Sequence, residues 1–134
     1  MSQNSKKEFS EKKKVVFIIE DDLFLVKVYR YELEKEGVEV WVSGDGKEAL
    51  TYFEKDPPNV VLLDLMLPGV SGFEVLAAMR KNERWIKVPV IVLSNLGQPQ
   101  DIERCKALGI EEYIVKADVK ISDVIQRVKR YLQD

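Results

Sequence analysis

The chain has 134 residues, 46% hydrophobic and 33% charged, with a formal net charge of −2. That is one domain's worth of sequence with enough apolar content for its own core, and no field strong enough to make nucleic acid an expected partner. No apolar run approaches the roughly 20 residues of a membrane helix and no secretory signal opens the chain, so no membrane partner is expected and a cytoplasmic location follows. The lone Cys105 excludes an internal disulfide, and the absence of histidine removes Ser-His-Asp and Cys-His catalysis, histidine bases and the usual zinc sites. Any chemistry must therefore run on carboxylates, lysine, hydroxyls, backbone amides or a hard metal held by oxygens.

Residues 1–13 are polar with Phe9 as their one large apolar residue, and read as a flexible tail whose lysines are solvated; residues 14–134 read as the folded domain. Val15 to Ile19 is a β-branched and aromatic run, a buried strand, and it ends in Glu20-Asp21-Asp22. Asp22 is placed to cap a helix with Leu25, Val26, Tyr29 and Leu33 on one face and Gly37 at its end. Val38 to Val42 predicts a short strand. Asp45-Gly46-Lys47-Glu48 opens a second helix, with Ala49, Leu50 and Phe53 inward, before Pro57-Pro58.

Val60 to Leu63 is wholly aliphatic, which suits a strand buried on both faces of a parallel sheet, and it runs directly into Asp64. Ser71-Gly72-Phe73-Glu74 reads as a capping box for a third helix with Val75, Leu76 and Met79 inward. Pro89 to Ser94 is another apolar run that ends on a hydroxyl. The fourth helix begins near Pro99 and stops at Gly109, and only Ile102, Cys105 and Leu108 face inward, so it is the weakest helix and a candidate for mobility. Glu112 to Val115 is the last strand, ending at Lys116, and Ile121, Val124, Ile125, Val128 and Leu132 form the stripe of the last helix. Five alternations of strand and helix predict an α/β fold, a doubly wound five-stranded parallel sheet with helices on both faces.

In such a sheet the carboxyl ends of all strands share one edge, where ligands bind. Glu20, Asp21 and Asp22, Asp64, Ser94 and Lys116 all fall there. Each has a plain structural reading: helix capping for the acids, turn formation for Asp64, and a salt bridge to Asp64 for Lys116. Carboxylates about 5 Å apart repel by roughly 3 kcal/mol per pair at an effective dielectric near 20, so the cluster asks for a cation. Magnesium (Mg2+), hard and octahedral, suits carboxylates together with waters and phosphate oxygens. Metal and ammonium flanking one carboxylate would stabilise a phosphoryl group in transfer.

Glu20-Asp21, Asp64-Leu65-Met66-Leu67-Pro68-Gly69-Val70-Ser71-Gly72, Ser94 and Tyr113-Ile114-Val115-Lys116, in that order and spacing, resemble the receiver domain of two-component response regulators over residues 15–133. The resemblance implies a flavodoxin-like fold and a phosphorylation switch of a two-component or phosphorelay system. It implies Asp64 as phosphoacceptor from a sensor histidine kinase or phosphotransfer protein. Asp21, Asp64 and the Met66 carbonyl would hold magnesium, with Glu20 acting through a water. Ser94 and Lys116 would contact phosphoryl oxygens, and Ser94 and Tyr113 would form a switch pair driving the face of the fourth helix, fifth strand and fifth helix.

The expected protein is thus a regulator, not an enzyme beyond its own phosphoryl transfer and slow dephosphorylation. It would stand alone, as a monomer or phosphorylation-dependent dimer, and signal through a separate downstream protein. Ala117 stands where the family usually has a proline, so the loop after Lys116 is expected to be trans and displaced; Asn95 is larger than the family's residue and is expected to restrict access. Two other readings are weighed. One is a degenerate receiver serving as a scaffold. The other is a magnesium-dependent phosphohydrolase, which would need an aspartate where Met66 stands. A flavin-binding domain is disfavoured because Glu20-Asp21-Asp22 would repel a phosphate.

Overall fold

The computed structural model describes residues 12–133. Period-two burial along the central strands builds the molecule. β1 (Val15–Ile19) sends Phe17 and Ile19 to one face and Val16 and Ile18 to the other, and β3 (Val60–Leu63) splits in the same way. Each face is then closed by helices. α1 (Leu23–Glu34) and α5 (Ile121–Arg130) bring Val26, Tyr29 and Leu33, and Val124, Ile125 and Val128, onto Val16, Ile18, Val60 and Leu62. α2 (Gly46–Thr51), α3 (Gly72–Lys81) and α4 (Pro99–Leu108) cover the opposite face with Ala49, with Val75, Leu76 and Met79, and with Cys105.

With β2 (Glu39–Ser43), β4 (Val90–Ser94) and β5 (Glu112–Val115) the strands form one parallel sheet of order β2-β1-β3-β4-β5. The chain moves outward from β1 to β2 and then returns past β1 to β3. The order therefore reverses between β1 and β3, which opens a crevice at their carboxyl ends. The doubly wound fold read from the alternation is the one present.

Local differences have physical reasons. The second strand starts at Glu39 rather than Val38, because the Val38 N–H donates to Leu33 O at 3.3 Å and closes the end of α1 instead of joining the ladder. Gly37, at φ 79°, makes that turn possible. The second helix is short and tightens into a 3-10 turn at Tyr52–Glu54. α4 is as thinly packed as its sequence suggests: Cys105 is its one buried residue, and Gln98 at its start makes no side-chain cap. Of the polar tail expected over residues 1–13, residues 1–11 lie outside the described residues, and Lys12 and Lys13 are exposed. Among the described residues no helix is long and apolar enough to cross a membrane.

Candidate active site at the carboxyl edge of the sheet

The register sets the site. Ile19 pairs with Leu63, and the Asp64 N–H donates to Ile19 O at 2.9 Å, so Glu20 and Asp64 leave adjacent strands side by side. Asp64 is further located by α3. The Gly72 N–H donates to Leu65 O at 3.0 Å, and a Cβ on Gly72 would lie 2.3 Å from Asp64 O and 2.5 Å from Leu65 Cα. Only glycine lets the start of α3 press this closely on the strand end.

Lys116 enters from the far side, at the end of β5 in a 3-10 turn over Lys116–Asp118. Its Nζ lies 2.8 Å from Asp64 Oδ2 and 2.7 Å from Glu20 Oε1, bridging both acids. The Glu20 and Asp64 side chains are about 4% and 5% exposed and that of Lys116 16%, so the three charges are largely out of water. The remaining carboxylate oxygens are also engaged: Asp64 Oδ1 accepts from the Met66 N–H at 3.0 Å and Glu20 Oε2 from the Asp22 N–H at 3.0 Å. Burial pushes the Glu20 carboxyl up to about 7; Lys116 and the Asp22 N–H hold it down in part, and the Asp64 charge adds to the rise. Burial works against the Lys116 ammonium, but its bonds to Asp64 and Glu20 outweigh this and raise its pKa above the ordinary lysine value.

Asp21 is exposed at the mouth of the crevice. Glu20, Asp21 and Asp64 each offer an oxygen, and these oxygens lie within 4.8 Å of one another. Three hard oxygen donors at that spacing fit a magnesium-sized ion, which takes few carboxylates and keeps its waters. Asp22 stays out of the cluster: it caps α1, accepting from the N–H groups of Phe24 at 3.0 Å and Leu25 at 3.2 Å.

The other expected residues are placed less directly. Ser94 is fully buried, and its Oγ accepts from the Leu96 N–H at 3.4 Å; Tyr113 donates its hydroxyl to Leu96 O at 2.5 Å. Among the described residues neither bonds to Asp64 or Lys116, and the two meet through one residue, Leu96. The Met66 backbone is at the site while its side chain is 54% exposed. Among the described residues every peptide is trans, the Lys116-Ala117 bond included, and Lys116 still reaches both acids. Asn95 is exposed.

Sequence reasoning expected Lys116 on Asp64 and missed its bond to Glu20. It named Gly72 in the capping box and at the end of the motif that begins at Asp64, but did not foresee its close approach to the Asp64 carbonyl. Ser43 was missed as well: its carbonyl accepts the Glu20 N–H at 2.9 Å, and its buried hydroxyl donates to Asp45 O at 2.9 Å, tying β2 to the same edge.

Comparison with known proteins agrees with this fold. Residues 16–129 match the Response regulator receiver domain family. The "Polar-differentiation response regulator DivK" of Brucella ovis is 34% identical over 121 residues, 90% of this chain and 98% of that one. The "Probable transcriptional regulator ycf27" of Cyanophora paradoxa is 35% identical over 104 residues, 78% of this chain but 42% of its own length. The crystal structure of the phosphorylated cyanobacterial phytochrome response regulator RcpA superposes with a TM-score of 0.78 at 30% identity, covering 89% of this chain and 91% of that one. A five-stranded parallel sheet superposing on such a structure, together with the match over most of the sequence, shows that the chain belongs to the response regulator receiver domain family, whose members signal by phosphorylation in two-component systems.

Proposed function

We propose that Asp64 is the phosphoacceptor of a magnesium-dependent switch, charged by a phosphohistidine on a sensor kinase or phosphotransfer protein and read by a separate downstream protein. The observation that carries this reading is the Lys116 ammonium held between Asp64 and Glu20 at 2.8 and 2.7 Å, with Asp21 beside them. An Asp64 oxygen attacks phosphorus, the bond to the donor imidazole breaks, and its electron pair returns to that ring, leaving an acyl phosphate on Asp64. None of these 134 residues is a histidine, so the donor imidazole lies outside this sequence.

Each neighbour has a task. The Met66 N–H holds Asp64 Oδ1 in place, so the carboxylate is oriented before the donor arrives. Lys116 keeps Asp64 compatible with burial in the resting state and is near enough to pair with a phosphoryl oxygen afterwards. Glu20, Asp21, Asp64 and the Met66 carbonyl would hold the magnesium, which supplies charge neutralisation for the incoming phosphoryl oxygens. Ser94 and Tyr113 share Leu96, so a Ser94 hydroxyl drawn toward the phosphoryl group pulls on the segment that accepts the Tyr113 hydroxyl. That coupling links the acceptor to α4, β5 and α5 as a two-state element.

Incubation with acetyl phosphate and magnesium should add one phosphoryl mass to the intact protein, and Asp64→Asn should remove the adduct. An adduct that persists in Asp64→Asn, or none with any small donor or kinase, defeats this assignment.

A further inference from the structure

A second cluster of charged groups lies at the opposite end of the sheet from Asp64. Lys12 and Lys13 precede β1, Glu39 opens β2, and Lys55 and Asp56 lie on the segment leading into β3. Together with Trp41 they line an open cavity of about 400 Å³. A five-residue strand spans roughly 17 Å at about 3.3 Å per residue, so this cavity is well removed from the acceptor.

The aromatic wall is held in place. Trp41 Nε1 donates to Glu39 Oε2 at 2.8 Å, and its ring lies edge-on to Phe17 at 6.1 Å and 5.9 Å from Tyr52. Lys55 Nζ stands 5.4 Å from the Trp41 ring centroid and 5.7 Å from that of Tyr52, which keeps its ammonium at the rim. Both carboxylates at the cavity already have donors, Glu39 from the indole and Asp56 from Arg84 at 3.2 Å. Among the described residues no carboxylate pairs with Lys12, Lys13 or Lys55. The result is a positive field over a fixed apolar surface.

We propose that this cavity binds an acidic, extended segment of a partner protein, with its carboxylates on Lys12, Lys13 and Lys55 and an apolar side chain against Trp41. Lysines bind phosphate as well as carboxylate, but the lining residues here include no guanidinium fork and no helix N-terminus of the kind that phosphate sites commonly add. Here the donors are three ammonium groups on flexible stems, which suit carboxylates spaced along a chain. β2 is the outer strand of the sheet, and its side away from β1 carries no strand partner among the described residues. An extended segment can add to such an edge, with main-chain bonds for affinity and side-chain contacts for selectivity.

The test is titration with an acetylated, amidated octapeptide alternating glutamate and valine, followed by tryptophan fluorescence and amide NMR shifts. Saturable shifts confined to residues 12–15, 39–42 and 52–57 are expected, with affinity falling at least tenfold in Lys55→Glu and again in about 0.5 M salt. A peptide with lysine in place of glutamate should not bind, while Lys55→Glu should still take up a phosphoryl group from acetyl phosphate, so this result is separable from the assignment of Asp64. No saturable shift, equal binding of the lysine peptide, or displacement of the acidic peptide by ATP or tripolyphosphate at lower concentration than the peptide itself would overturn the proposal.

Discussion

The helices on either side of β4 differ in how they are held. α3 is capped by Ser71, whose Oγ accepts from the Glu74 N–H at 3.3 Å, and it buries Phe73, Val75, Leu76 and Met79. α4 has no side-chain cap and buries only Cys105. What holds α4 lies at its carboxyl end: Arg80 of α3 donates to Gly109 O at 3.0 and 2.8 Å and also to the carbonyls of Ile86 and Val88 at 2.9 and 3.0 Å. The Arg104 guanidinium adds a contact 4.0 Å from the Phe73 ring centroid. The helix that seats the strand ending at Asp64 is therefore held at its start and along a buried face, while the one that follows Ser94 buries one residue fully and is held chiefly at its carboxyl end. That division suits the proposed switch: geometry kept where the bond would form, and low local stability where the signal would be read.

The largest effect should come from truncating a leucine on each of the two helices in the same way. Leu76→Ala, in the fully buried face of α3, is expected to cost about 3 kcal/mol in urea unfolding, and Leu108→Ala, half-buried on α4, about 1 kcal/mol. Equal costs would break the comparison. Arg80→Gln should come next, at about 1 kcal/mol, because it removes the donor shared by several carbonyls, the exposed ones of which water can satisfy instead. Hydrogen exchange should then quicken at residues 105–110 and stay slow in residues 73–79; even acceleration across both helices would show that α4 is not separately anchored.

The smallest change is chemical. Burial pushes the Cys105 thiol up to about 11, so at pH 9 it stays protonated in the folded state and alkylation must wait for α4 to open. Because the unfolded thiol ionises first, the folded state loses stability as pH rises from about 9 to about 11. Iodoacetamide labelling at pH 8 should be slow, yet faster than global unfolding allows, and should accelerate little in dilute urea. Labelling that tracks global unfolding would place α4 in the same cooperative unit as α3.

Much of this was legible from residue order. Unbroken aliphatic runs ending on Asp64 and Ser94 can hardly be anything but buried strands, and polar groups that end parallel strands must share an edge. Asp22 as a cap, Gly37 as a stop and the thin apolar stripe of α4 follow from local chemistry. What was not legible depends on distance through space. The Lys116 bridge to Glu20 joins β5 to β1 across the whole switch point, and no spacing along the chain encodes its 2.7 Å. The Arg80 fork gathers carbonyls from the segment before β4 and from the end of α4, and an arginine in a last helical turn looks like any dipole partner. Trp85 is fully buried with Nε1 on Lys55 O at 3.0 Å, and it follows a polar stretch that reads as loop.

By itself, then, the sequence determined the class of fold and the identity of the acids, hydroxyl and lysine at one edge, because periodicity and strand ends are properties of neighbouring residues. The tertiary structure alone decided which oxygens share the ammonium, why position 72 must lack a Cβ, and which end of α4 is tied down. Those outcomes depend on register and close packing between segments far apart in the chain, where a shift of one or two ångströms separates a bonded pair from two unrelated charges.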